Sequence, residues 1–508
     1  MKFKTRKRAF VLGTGIMFLT ALFGGFLSGC GKMSNNSGPN PAPTPSGAQT
    51  FAALTNTKTY ARGLTVDSSG NVYVAGRTTA NFLPCYGSAS SCPSGSQGTT
   101  DYFITKYTNS GTRLWTQQLG RAGTISGLYA IAIDKSSNIY VAGASSNSII
   151  SNNVSSEYFI SKYSANGNLI WSQQLAGGSA NVSAMALDSS SNIYIFGTTN
   201  KNLVSCNGVS SSCSGNSQGS EDYFISKYTS SGNWVWTKQL GETGQMTGGY
   251  GGAVDSSGNA YIMGATTGNL ASCNGVSSAC SGGAQGTEDY YISKYASNGA
   301  WVWTKQLGEA GQSTEGLSVS IDSSANVYVT GRSTGNLVSC SGVSSSCSGA
   351  AQGQWDYFVS KYSSAGTWGW TKQLGESGTS TTAIGTAVDA SSNVYVTGYT
   401  TANLASCNGV SASCSGSAQG VYDYFISKYA SDGTWDWTKQ LGETNLMALG
   451  SEIYISPTSN LYLAGDTTGN LASCNGVSTS CSGSAQGTQD YFISKYTTGG
   501  NWVSTNQL

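Results

Sequence analysis

Cysteine has the most regular chemical pattern in this sequence. Apart from Cys30, twelve cysteines form six pairs, each with six intervening residues, as in Cys-Asn-Gly-Val-Ser-Ser-Ser-Cys. The pairs are Cys85/Cys92, Cys206/Cys213, Cys273/Cys280, Cys340/Cys347, Cys407/Cys414 and Cys474/Cys481. A metal site is one interpretation, but the sequence has no histidine partner and no Cys-x-x-Cys spacing. In an exported protein the pattern favours six disulfides within loops, each contributing roughly 2–2.5 kcal/mol on the chain-entropy model.

Histidine is absent from all 508 residues. This absence excludes Ser-His-Asp and Cys-His catalysis together with every metal site that needs imidazole. The adjacent residues Glu221-Asp222 and Glu288-Asp289 would be poor acid/base pairs, because neighbouring residues of a strand point to opposite faces. The sequence therefore predicts no catalytic residues, no cofactor and no metal centre.

Two further residue types recur at fixed positions and could bind ions. A turn pattern such as Asp-Ser-Ser-Gly-Asn begins at Asp67, Asp134, Asp188, Asp255, Asp322 and Asp389. One carboxylate per turn is few for Ca²⁺, so capping of the turn is favoured over calcium binding. A ring of lysines is expected on the third strands, at Lys106, Lys162, Lys227, Lys294, Lys361, Lys428 and Lys495. Pairing of these lysines with nearby carboxylates is favoured over an anion-binding ring.

A repeated unit must position all of these residues. The Asp-turn motif and the motif Asp-Tyr-Phe-Ile-Ser-Lys-Tyr each occur seven times, and the last four spacings of the second motif are 67 residues. One unit contains four strand candidates, namely Gly251–Asp255, Asn259–Met263, Asp222–Tyr228 (from the neighbouring copy) and Trp234–Leu240. Their apolar residues occupy both faces, which suits sheets packed between neighbours. The pattern predicts an all-β, seven-bladed β-propeller of four-stranded antiparallel blades. An open β-solenoid is less favoured, because closure removes exposed edges.

The units resemble the SBBP repeat, the seven-bladed β-propeller repeat of bacterial surface and secreted proteins, from about residue 55 to 508. The resemblance rests on Val-Asp-x-Ser-x-Asn-x-Tyr-Val-x-Gly, on the Asp-Tyr-Phe motif and on Trp-Thr-Lys-Gln-Leu-Gly. It implies a propeller fold and export, and it transfers no catalytic residues. The last unit departs from the pattern at Ser456-Pro457 and at Ser504, which stands where a second tryptophan is expected. The repeat pattern therefore does not show how the last unit closes the ring, and Gln49–Leu54 is a candidate for an additional strand at that position.

The segment Lys227–Trp236 is similar to the tryptophan-docking motif of quinoprotein-type propellers, Lys-Tyr-x-x-x-Gly-x-x-x-Trp. The similarity implies that one tryptophan of each blade packs against its neighbour. These residues are Trp115, Trp171, Trp236, Trp303, Trp370 and Trp437. Some propellers of that type are dehydrogenases and others are lipoprotein scaffolds for outer-membrane assembly, but this chain shows no cofactor signature.

The N-terminus predicts export and a lipid anchor. Basic residues within Lys2–Arg8 precede the apolar stretch Ala9–Leu27, which could also be a retained membrane helix. The sequence Leu-Ser-Gly-Cys that ends at Cys30 resembles the lipobox of bacterial lipoproteins, which implies lipidation of Cys30 as the mature N-terminus. We expect a signal peptide at 1–29, a lipidated cysteine and Pro/Ser/Asn-rich linker at 30–50, and the propeller at 51–508.

The cysteine loops join the second and third strands of each unit, so in an antiparallel blade they share a face with the blade-to-blade connections. Their Ser, Gly and Asn residues suit adaptable recognition, although the loops could also be structural elaboration alone. We predict a monomeric, surface-exposed outer-membrane lipoprotein, held by its lipid anchor, that binds a protein or glycan there. Without residues 1–29 the chain has 20 basic and 24 acidic residues, a balance that argues against nucleic acid as a partner. The alternatives are a periplasmic scaffold for outer-membrane protein assembly and, less favoured, a propeller enzyme.

Overall fold

The structure of the chain is a computed structural model. It describes residues 57–80, 99–120, 124–147, 155–175, 180–203, 213–214, 219–270, 280–281, 284, 286–337, 347–348, 353–404, 414–415, 420–471, 481–482 and 487–507. All of these belong to one compact unit, Phe51–Leu508. Cys30, the predicted signal peptide and linker, and the predicted strand Gln49–Leu54 lie outside the described residues. Within the described ranges, no helix is long and apolar enough to cross a membrane.

Seven sheets follow one another along the chain, each built around four antiparallel strands. Blade 1 contains β1 (Thr59–Val66), β2 (Val72–Thr78), β3 (Asp101–Tyr107) and β4 (Arg113–Leu119). Blade 2 contains β5 (Ser126–Ile133), β6 (Ile139–Asn147), β7 (Ser155–Tyr163) and β8 (Leu169–Leu175). Blade 3 contains β9 (Ala180–Leu187), β10 (Ile193–Thr199), the short β11 (Cys213–Ser214), β12 (Asp222–Tyr228) and β13 (Trp234–Leu240).

The remaining four blades repeat the five-strand arrangement of blade 3. Blade 4 contains β14 (Thr247–Val254), β15 (Ala260–Thr266), β16 (Cys280–Ser281), β17 (Asp289–Tyr295) and β18 (Trp301–Leu307). Blade 5 contains β19 (Thr314–Ile321), β20 (Val327–Ser333), β21 (Cys347–Ser348), β22 (Asp356–Tyr362) and β23 (Trp368–Leu374). Blade 6 contains β24 (Thr381–Val388), β25 (Val394–Thr400), β26 (Cys414–Ser415), β27 (Asp423–Tyr429) and β28 (Trp435–Leu441). Blade 7 contains β29 (Ala448–Ile455), β30 (Asn460–Thr467), β31 (Cys481–Ser482), β32 (Asp490–Thr497) and β33 (Trp502–Gln507).

The predicted seven-bladed propeller is confirmed, with two corrections to its strands. The predicted third and fourth strands of the unit have the bounds of β12 and β13, which belong to blade 3. The predicted first and second strands correspond to β14 and β15, which belong to blade 4, so the predicted unit combined strands of two blades. The predicted first two strands were also too short, since β14 begins four residues earlier, at Thr247, and β15 continues to Thr266. The β14 sequence Thr-Gly-Gly-Tyr-Gly-Gly-Ala-Val has few side chains in which alternation could be seen.

A short fifth strand in blades 3 to 7 was not predicted. Each consists of the second cysteine of a pair and the serine after it, and each pairs in parallel with the outermost strand of its own blade. In blade 3, for example, Cys213 pairs with Thr237. This pairing fixes the backbone at the end of each cysteine loop against the rim of the ring.

The first strands of the seven blades surround the central channel, because each contacts the first strands of both neighbours. Blade 1 follows blade 7 in this ring, and β1 contacts β29 and β30. Within the described part of the chain, closure involves no strand exchanged between the two blades. The link is a parallel bridge between Lys58 and Gln489, like the bridge between Glu221 and Met246 that joins blades 3 and 4.

These bridges also show which connections share a face. Glu221 lies at the end of the connection between β10 and β12, and Met246 lies at the end of the connection into blade 4. We call this end of the ring the connection face. The opposite end, with short turns such as Asp255–Asn259, is the turn face. The predicted placement of the long connections on one face is confirmed.

The hydrophobic core lies between neighbouring blades. The ring of Tyr223 in blade 3 stacks on Tyr291 of blade 4 with centroids 5.2 Å apart, and its hydroxyl forms a hydrogen bond with Tyr295. Because a buried phenol needs a partner for its hydroxyl, this pair of tyrosines both fills and satisfies the interface. The seven tyrosine pairs are Tyr102–Tyr163, Tyr158–Tyr228, Tyr223–Tyr295, Tyr290–Tyr362, Tyr357–Tyr429, Tyr424–Tyr496 and Tyr491–Tyr107.

The predicted tryptophan docking occurs at the blade interfaces. Trp236 packs on Gly299 of the next blade, where a Cβ atom would lie 3.1 Å from the indole. Gly299 also has φ +83°, so both space and backbone conformation require glycine there. Trp115, Trp303, Trp370 and Trp437 make the same contact, whereas at Gly232, the glycine that faces blade 2, the atoms nearest to a Cβ belong to Gln173.

Blade 7 lacks the docking tryptophan at the closing interface. Ser504 occupies the position, and a small cavity remains, lined by Tyr107, Gly111, Ile493 and Asn506 among others. The amide Nδ2 of Asn506 donates to the carbonyl of Gly111 at 3.3 Å. At its turn-face end, the closing interface is therefore packed less completely than the interfaces between the other blades.

Candidate functional site

The turn aspartates are structural caps with saturated carboxylates. In blade 4, Asp255 Oδ1 accepts hydrogen bonds from the backbone N–H groups of Ser257 and Asn259, both at 2.9 Å. Its Oδ2 accepts from Asn259 Nδ2 at 2.8 Å and from the Tyr261 hydroxyl at 3.0 Å. This is the geometry of an Asx turn, as favoured from the sequence. No group of three or more potential metal-ligating side chains occurs among the described residues.

The hydrogen bonds of these turns also change acidity. Burial tends to raise the pKa of Asp67, but hydrogen bonds from Asn71 and Tyr73 lower it below its ordinary value. Burial and the carboxylate of Asp67 together raise the pKa of Tyr73. In blade 7, Ser456 Oγ replaces the carboxylate and accepts from the Asn460 backbone N–H at 3.1 Å.

The seven lysines of the third strands link neighbouring blades, and the predicted pairing with carboxylates holds for only some of them. Carboxylates lie within 4.0 Å of Lys106 (3.9 Å), Lys227 (3.7 Å) and Lys428 (2.9 Å). Lys294 Nζ donates instead to the carbonyl of Ser364 in the next blade at 2.9 Å and lies 5.1 Å from the Tyr261 ring centre. The third strand holds each lysine beside a second-strand tyrosine, so a cation–π contact and a carbonyl supplement the weak ion pairs.

A buried Asp–Gln pair at the connection face was missed from the sequence. Asp222 accepts from Gln239 Nε2 and from the Gly219 backbone N–H, both at 2.8 Å. Gln239 also donates to the carbonyl of Lys201. The recurring Asp and Gln of the two motifs indicate this pair once the third and fourth strands are aligned. The Asp222 carboxylate is held by these hydrogen bonds within the blade, whereas Glu221 lies just before it at the end of the strand. The two residues therefore do not form an acid/base pair.

The predicted disulfide and lipidation sites fall where side chains are outside the described residues. Cys30, Cys85 and Cys92 lie in undescribed stretches. Of the other pairs, only the backbone of the second cysteine is described, in the short strands β11, β16, β21, β26 and β31. The six disulfides and the lipid anchor therefore stay predictions.

A β-bulge on each innermost strand marks the candidate site. The pairing register between the first two strands skips one residue in every blade. The skipped residues are Arg62, Tyr129, Ser183, Tyr250, Leu317, Ile384 and Ser451. All are partly exposed, although most of the residues around them are buried. Since a bulge redirects a side chain, these seven residues define a ring around the channel.

Arg62 belongs to an ionic cluster where blade 7 meets blade 1. Its Nη1 donates to Asp466 Oδ2 at 2.8 Å, and Asp466 Oδ1 accepts from the Ala61 backbone N–H at 2.9 Å. The Asp466 side chain is only 4% exposed, and the Arg62 side chain 18%. The guanidinium groups of Arg62 and Arg77 lie 5.0 Å and 4.7 Å from the ring centre of Tyr60. The cluster thus holds two arginines against one phenol ring.

Glu452 is the unusual carboxylic acid of this cluster. It follows the bulge of β29, at a position that is Gly or Ala in five of the other blades and Ser in blade 5. Burial raises the pKa of Glu452 to about 8, although Arg62 opposes the increase. Burial likewise raises the pKa of Asp466, whereas the hydrogen bonds from Arg62 and Ala61 favour its ionised form.

An opposing cluster lies on blades 3 to 5. Arg332 Nη2 contacts both carboxylate oxygens of Glu315 at 3.0 Å, and its guanidinium lies 4.3 Å from the Trp355 ring centre. Burial, together with the carboxylates of Glu315, Glu288 and Glu221, raises the pKa of Tyr250. This side of the channel is therefore acidic, whereas the side formed by blades 7 and 1 is basic.

The blade framework corresponds to a known repeat. Six stretches match the family model of the SBBP beta-propeller repeat, at residues 53–82, 114–150, 170–203, 235–271, 302–337 and 369–405. The matched ranges end before the last unit, in which Ser456-Pro457 and Ser504 depart from the pattern. No curated protein matches the sequence.

Some solved structures have a weak similarity to the chain. A polysaccharide lyase, Uly1, is 9% identical, covers 86% of this chain and 90% of its own, and has a TM-score of 0.43. A protein from Lactobacillus plantarum is 9% identical over 85% of this chain and 99% of its own, with a TM-score of 0.39. A protein of unknown function from Dyadobacter fermentans is 8% identical over 76% and 95%, with a TM-score of 0.36. The repeat matches and the seven described blades together identify the chain as a protein of SBBP beta-propeller repeats.

Proposed function

We propose that this chain is a non-enzymatic, lipid-anchored surface protein that binds a protein or glycan ligand at its connection face. A contrast within the repeat carries the proposal. One third-strand position is tyrosine in all seven blades, at Tyr102, Tyr158, Tyr223, Tyr290, Tyr357, Tyr424 and Tyr491. The seven bulge residues of the first strands, by contrast, are of five types: Arg, Tyr, Ser, Leu and Ile. A repeated scaffold with varied residues around its channel is the pattern expected of a binding surface on a rigid support.

The connection face is held in place at the base of its loops. Asp222 and Gln239 anchor the two ends of the connection between β10 and β12, and equivalent pairs occur in five other blades. The predicted disulfides would restrain the same connections further. Because restrained loops lose less conformational entropy on binding, this arrangement favours recognition.

The channel carboxylates support binding more than catalysis. Asp466 and Glu315 are each held by an arginine, at 2.8 Å and 3.0 Å, which positions them but gives them little freedom to transfer protons. The absence of histidine from the sequence removes the side chain most often used for that task.

The membrane part of the proposal depends on Cys30 and is tested by metabolic labelling with an alkyne-bearing fatty acid. The wild-type chain should incorporate the label, and Cys30→Ala should not. Ser28→Ala is the matched control, because it alters the same segment but keeps the cysteine. Incorporation into Cys30→Ala would show that the lipid is attached elsewhere.

Orientation and binding are tested by protease treatment of intact cells and by a ligand screen with the full chain. Release of the propeller from intact cells, and binding to glycans or matrix proteins, would support a surface recognition protein. Protection until the outer membrane is permeabilised would contradict surface exposure and favour the periplasmic scaffold. Turnover of a glycan by the full chain would contradict the non-enzymatic assignment.

A further inference from the structure

Two arginines occupy the same place in two blades and differ in what they contact. Arg77 on β2 pairs across the sheet with Tyr60, and Arg332 on β20 pairs across the sheet with Glu315. Each arginine is the second-last residue of its strand, close to the connection face. Each also lies over an aromatic ring, Tyr60 at 4.7 Å and Trp355 at 4.3 Å.

Arg332 shows what this position binds when a carboxylate is present. Its Nη2 lies 3.0 Å from both oxygens of Glu315, and its Nε lies 3.3 Å from Oε2. The edge of the guanidinium that Nε and Nη2 form is thus used by one carboxylate, the bidentate arrangement that arginine favours.

Arg77 lacks this partner. Its strand neighbour Tyr60 supplies a ring face and not a carboxylate. Its Nε is buried and has no hydrogen-bond partner among the residues that the structure describes. A buried donor without a partner costs free energy, so such a group calls for an acceptor from outside the described chain.

The charges around Arg77 favour an anion. Arg62 is paired with Asp466, which leaves the second guanidinium of the cluster without an equal negative charge. Glu452 does not supply that charge at neutral pH, since burial raises its pKa to about 8. The cluster therefore carries one net positive charge at pH 7.

The surroundings of Arg77 suit a sugar better than a peptide. Gly127 of blade 2 lies beside the side chains of both Arg77 and Tyr129. A Cβ built on this glycine would be 3.7 Å from the aliphatic part of Arg77 and 3.6 Å from the Tyr129 hydroxyl, so the two side chains approach each other over a residue that has no side chain. The Tyr60 ring is buried and supports the Arg77 guanidinium, so the Tyr129 phenol is the ring that would face a ligand. Pyranose rings combine apolar C–H faces with hydroxyl edges, which phenol rings complement with a flat surface and a polar end. In blade 6, the residues that correspond to Gly127 and Tyr129 are Thr382 and Ile384.

We propose that Arg77, Tyr60 and Tyr129 form a binding site for the carboxylate of an acidic sugar, which would contact Arg77 as Glu315 contacts Arg332. The inference rests on the proposed recognition function and specifies the ligand class of the channel opening on blades 1 and 2. It involves no covalent step.

The test is a titration of the full chain, purified in detergent, with glucuronate, followed by ligand-observed NMR. Glucose is the neutral analogue, and a tripeptide with a central aspartate is the other source of a carboxylate. The wild-type chain should bind glucuronate in preference to both. Arg77→Gln should weaken binding by about 10- to 100-fold, the range for a lost charge-assisted hydrogen bond. Arg77→Lys should also bind more weakly, because lysine keeps the charge but not the fork.

Two further variants keep the test decisive if Arg77→Gln folds poorly. Tyr60→Glu recreates the Glu315–Arg332 arrangement in blade 1, so it should block the site while retaining Arg77. Arg332→Gln is the matched control, because that guanidinium is already occupied, and it should leave glucuronate affinity unchanged. Loss of binding in Arg332→Gln but not in Tyr60→Glu would overturn the assignment.

The remaining outcomes separate this inference from the proposed function. Equal binding of the aspartate peptide, with the same dependence on Arg77, would overturn the sugar assignment. A ligand from the screen whose affinity is unchanged in Arg77→Gln would overturn the inference while the proposed function stands. Failure of the screen to find any ligand would contradict the proposed function itself.

Discussion

The hydroxyl groups of Tyr107 and Tyr491 form a hydrogen bond across the junction between the first and last blades. The same bond occurs inside the ring, for example between Tyr290 and Tyr362. The chain therefore closes its ring with the interface that already joins each blade to the next. This explains how closure proceeds, among the described residues, without an exchanged strand.

Removal of one hydroxyl from the closing pair should destabilise the protein more than removal of both. Tyr491→Phe leaves the buried hydroxyl of Tyr107 without its partner, at a cost of about 1–3 kcal/mol. The double variant with Tyr107→Phe removes both polar groups and should approach the wild-type free energy of unfolding. Urea denaturation of the four proteins of this cycle measures the coupling. The internal pair Tyr290 and Tyr362 is the matched control, and a coupling found there but absent at the junction would contradict the equivalence of the interfaces.

Restoration of the missing tryptophan should stabilise the closing interface. Ser504→Trp combined with Asn506→Lys restores the Trp-x-Trp-Thr-Lys-Gln-Leu sequence of blades 3 to 6 and fills the cavity beside Gly111. We expect a gain of about 1–2 kcal/mol in the free energy of unfolding, since buried aromatic surface is added and the new lysine occupies a position that is only partly buried in blades 3 to 6. Thermal and urea unfolding measure the change.

The converse change in blade 6 serves as its control. Trp437 is 5% exposed, and Trp437→Ser should cost about 3 kcal/mol because it creates the gap that blade 7 already has. If the blade 7 variant were less stable than wild type, the gap would be an adaptation of the junction to other contacts and not unfilled space.

The turn aspartates can be tested against the substitution that blade 7 already contains. Asp255→Ser should retain a bond to the Asn259 backbone N–H, as Ser456 does with Asn460, but lose those to Asn259 Nδ2 and the Tyr261 hydroxyl. We expect a loss of about 1–2 kcal/mol, with calcium having no effect on either protein. Calcium-dependent stabilisation of the wild-type chain alone would contradict the capping role.

The repeat allowed the blades to be predicted, but the channel could not be. Asp222–Tyr228 and Trp234–Leu240 were predictable because closely similar segments recur in the other copies. The glycines of β14 hide its alternation, and a bulge at Tyr250 breaks it, so both the extent of the strand and the direction of that side chain depend on the neighbouring strand. The pairing of Arg77 with Tyr60, and of Arg332 with Glu315, depends on register, which no local pattern specifies.

The predicted disulfides are tested by the mass of the intact protein after alkylation without reduction. All twelve loop cysteines should resist alkylation, and reduction should make them reactive. Cys85→Ser should expose one thiol, at Cys92, if pairing is local. Exposure of a thiol in another loop would contradict pairing within loops, since the bonds would then cross between blades.

Glu452 should make the protein less stable as the pH rises from about 4.5 to 8. The unfolded chain loses this proton near the ordinary value of 4.5, whereas burial keeps the folded chain protonated until about pH 8. Between these values the folded state binds more protons, so the free energy of unfolding falls as pH increases. At pH 7, Glu452→Gln should therefore be more stable than wild type by roughly 3 kcal/mol.

Comparison across pH supplies the control for Glu452→Gln, because at pH 4 both side chains are neutral and the two proteins should unfold at similar urea concentrations. The other charged groups of the cluster, Arg62, Arg77 and Asp466, are present in both proteins and cancel in the difference. Unfolding curves with the same separation at pH 4 and pH 7 would show that Glu452 keeps its ordinary pKa in the folded state and is therefore ionised at pH 7. The site would then have no net positive charge to offer an anionic ligand, so this stability measurement also bears on the acidic-sugar assignment.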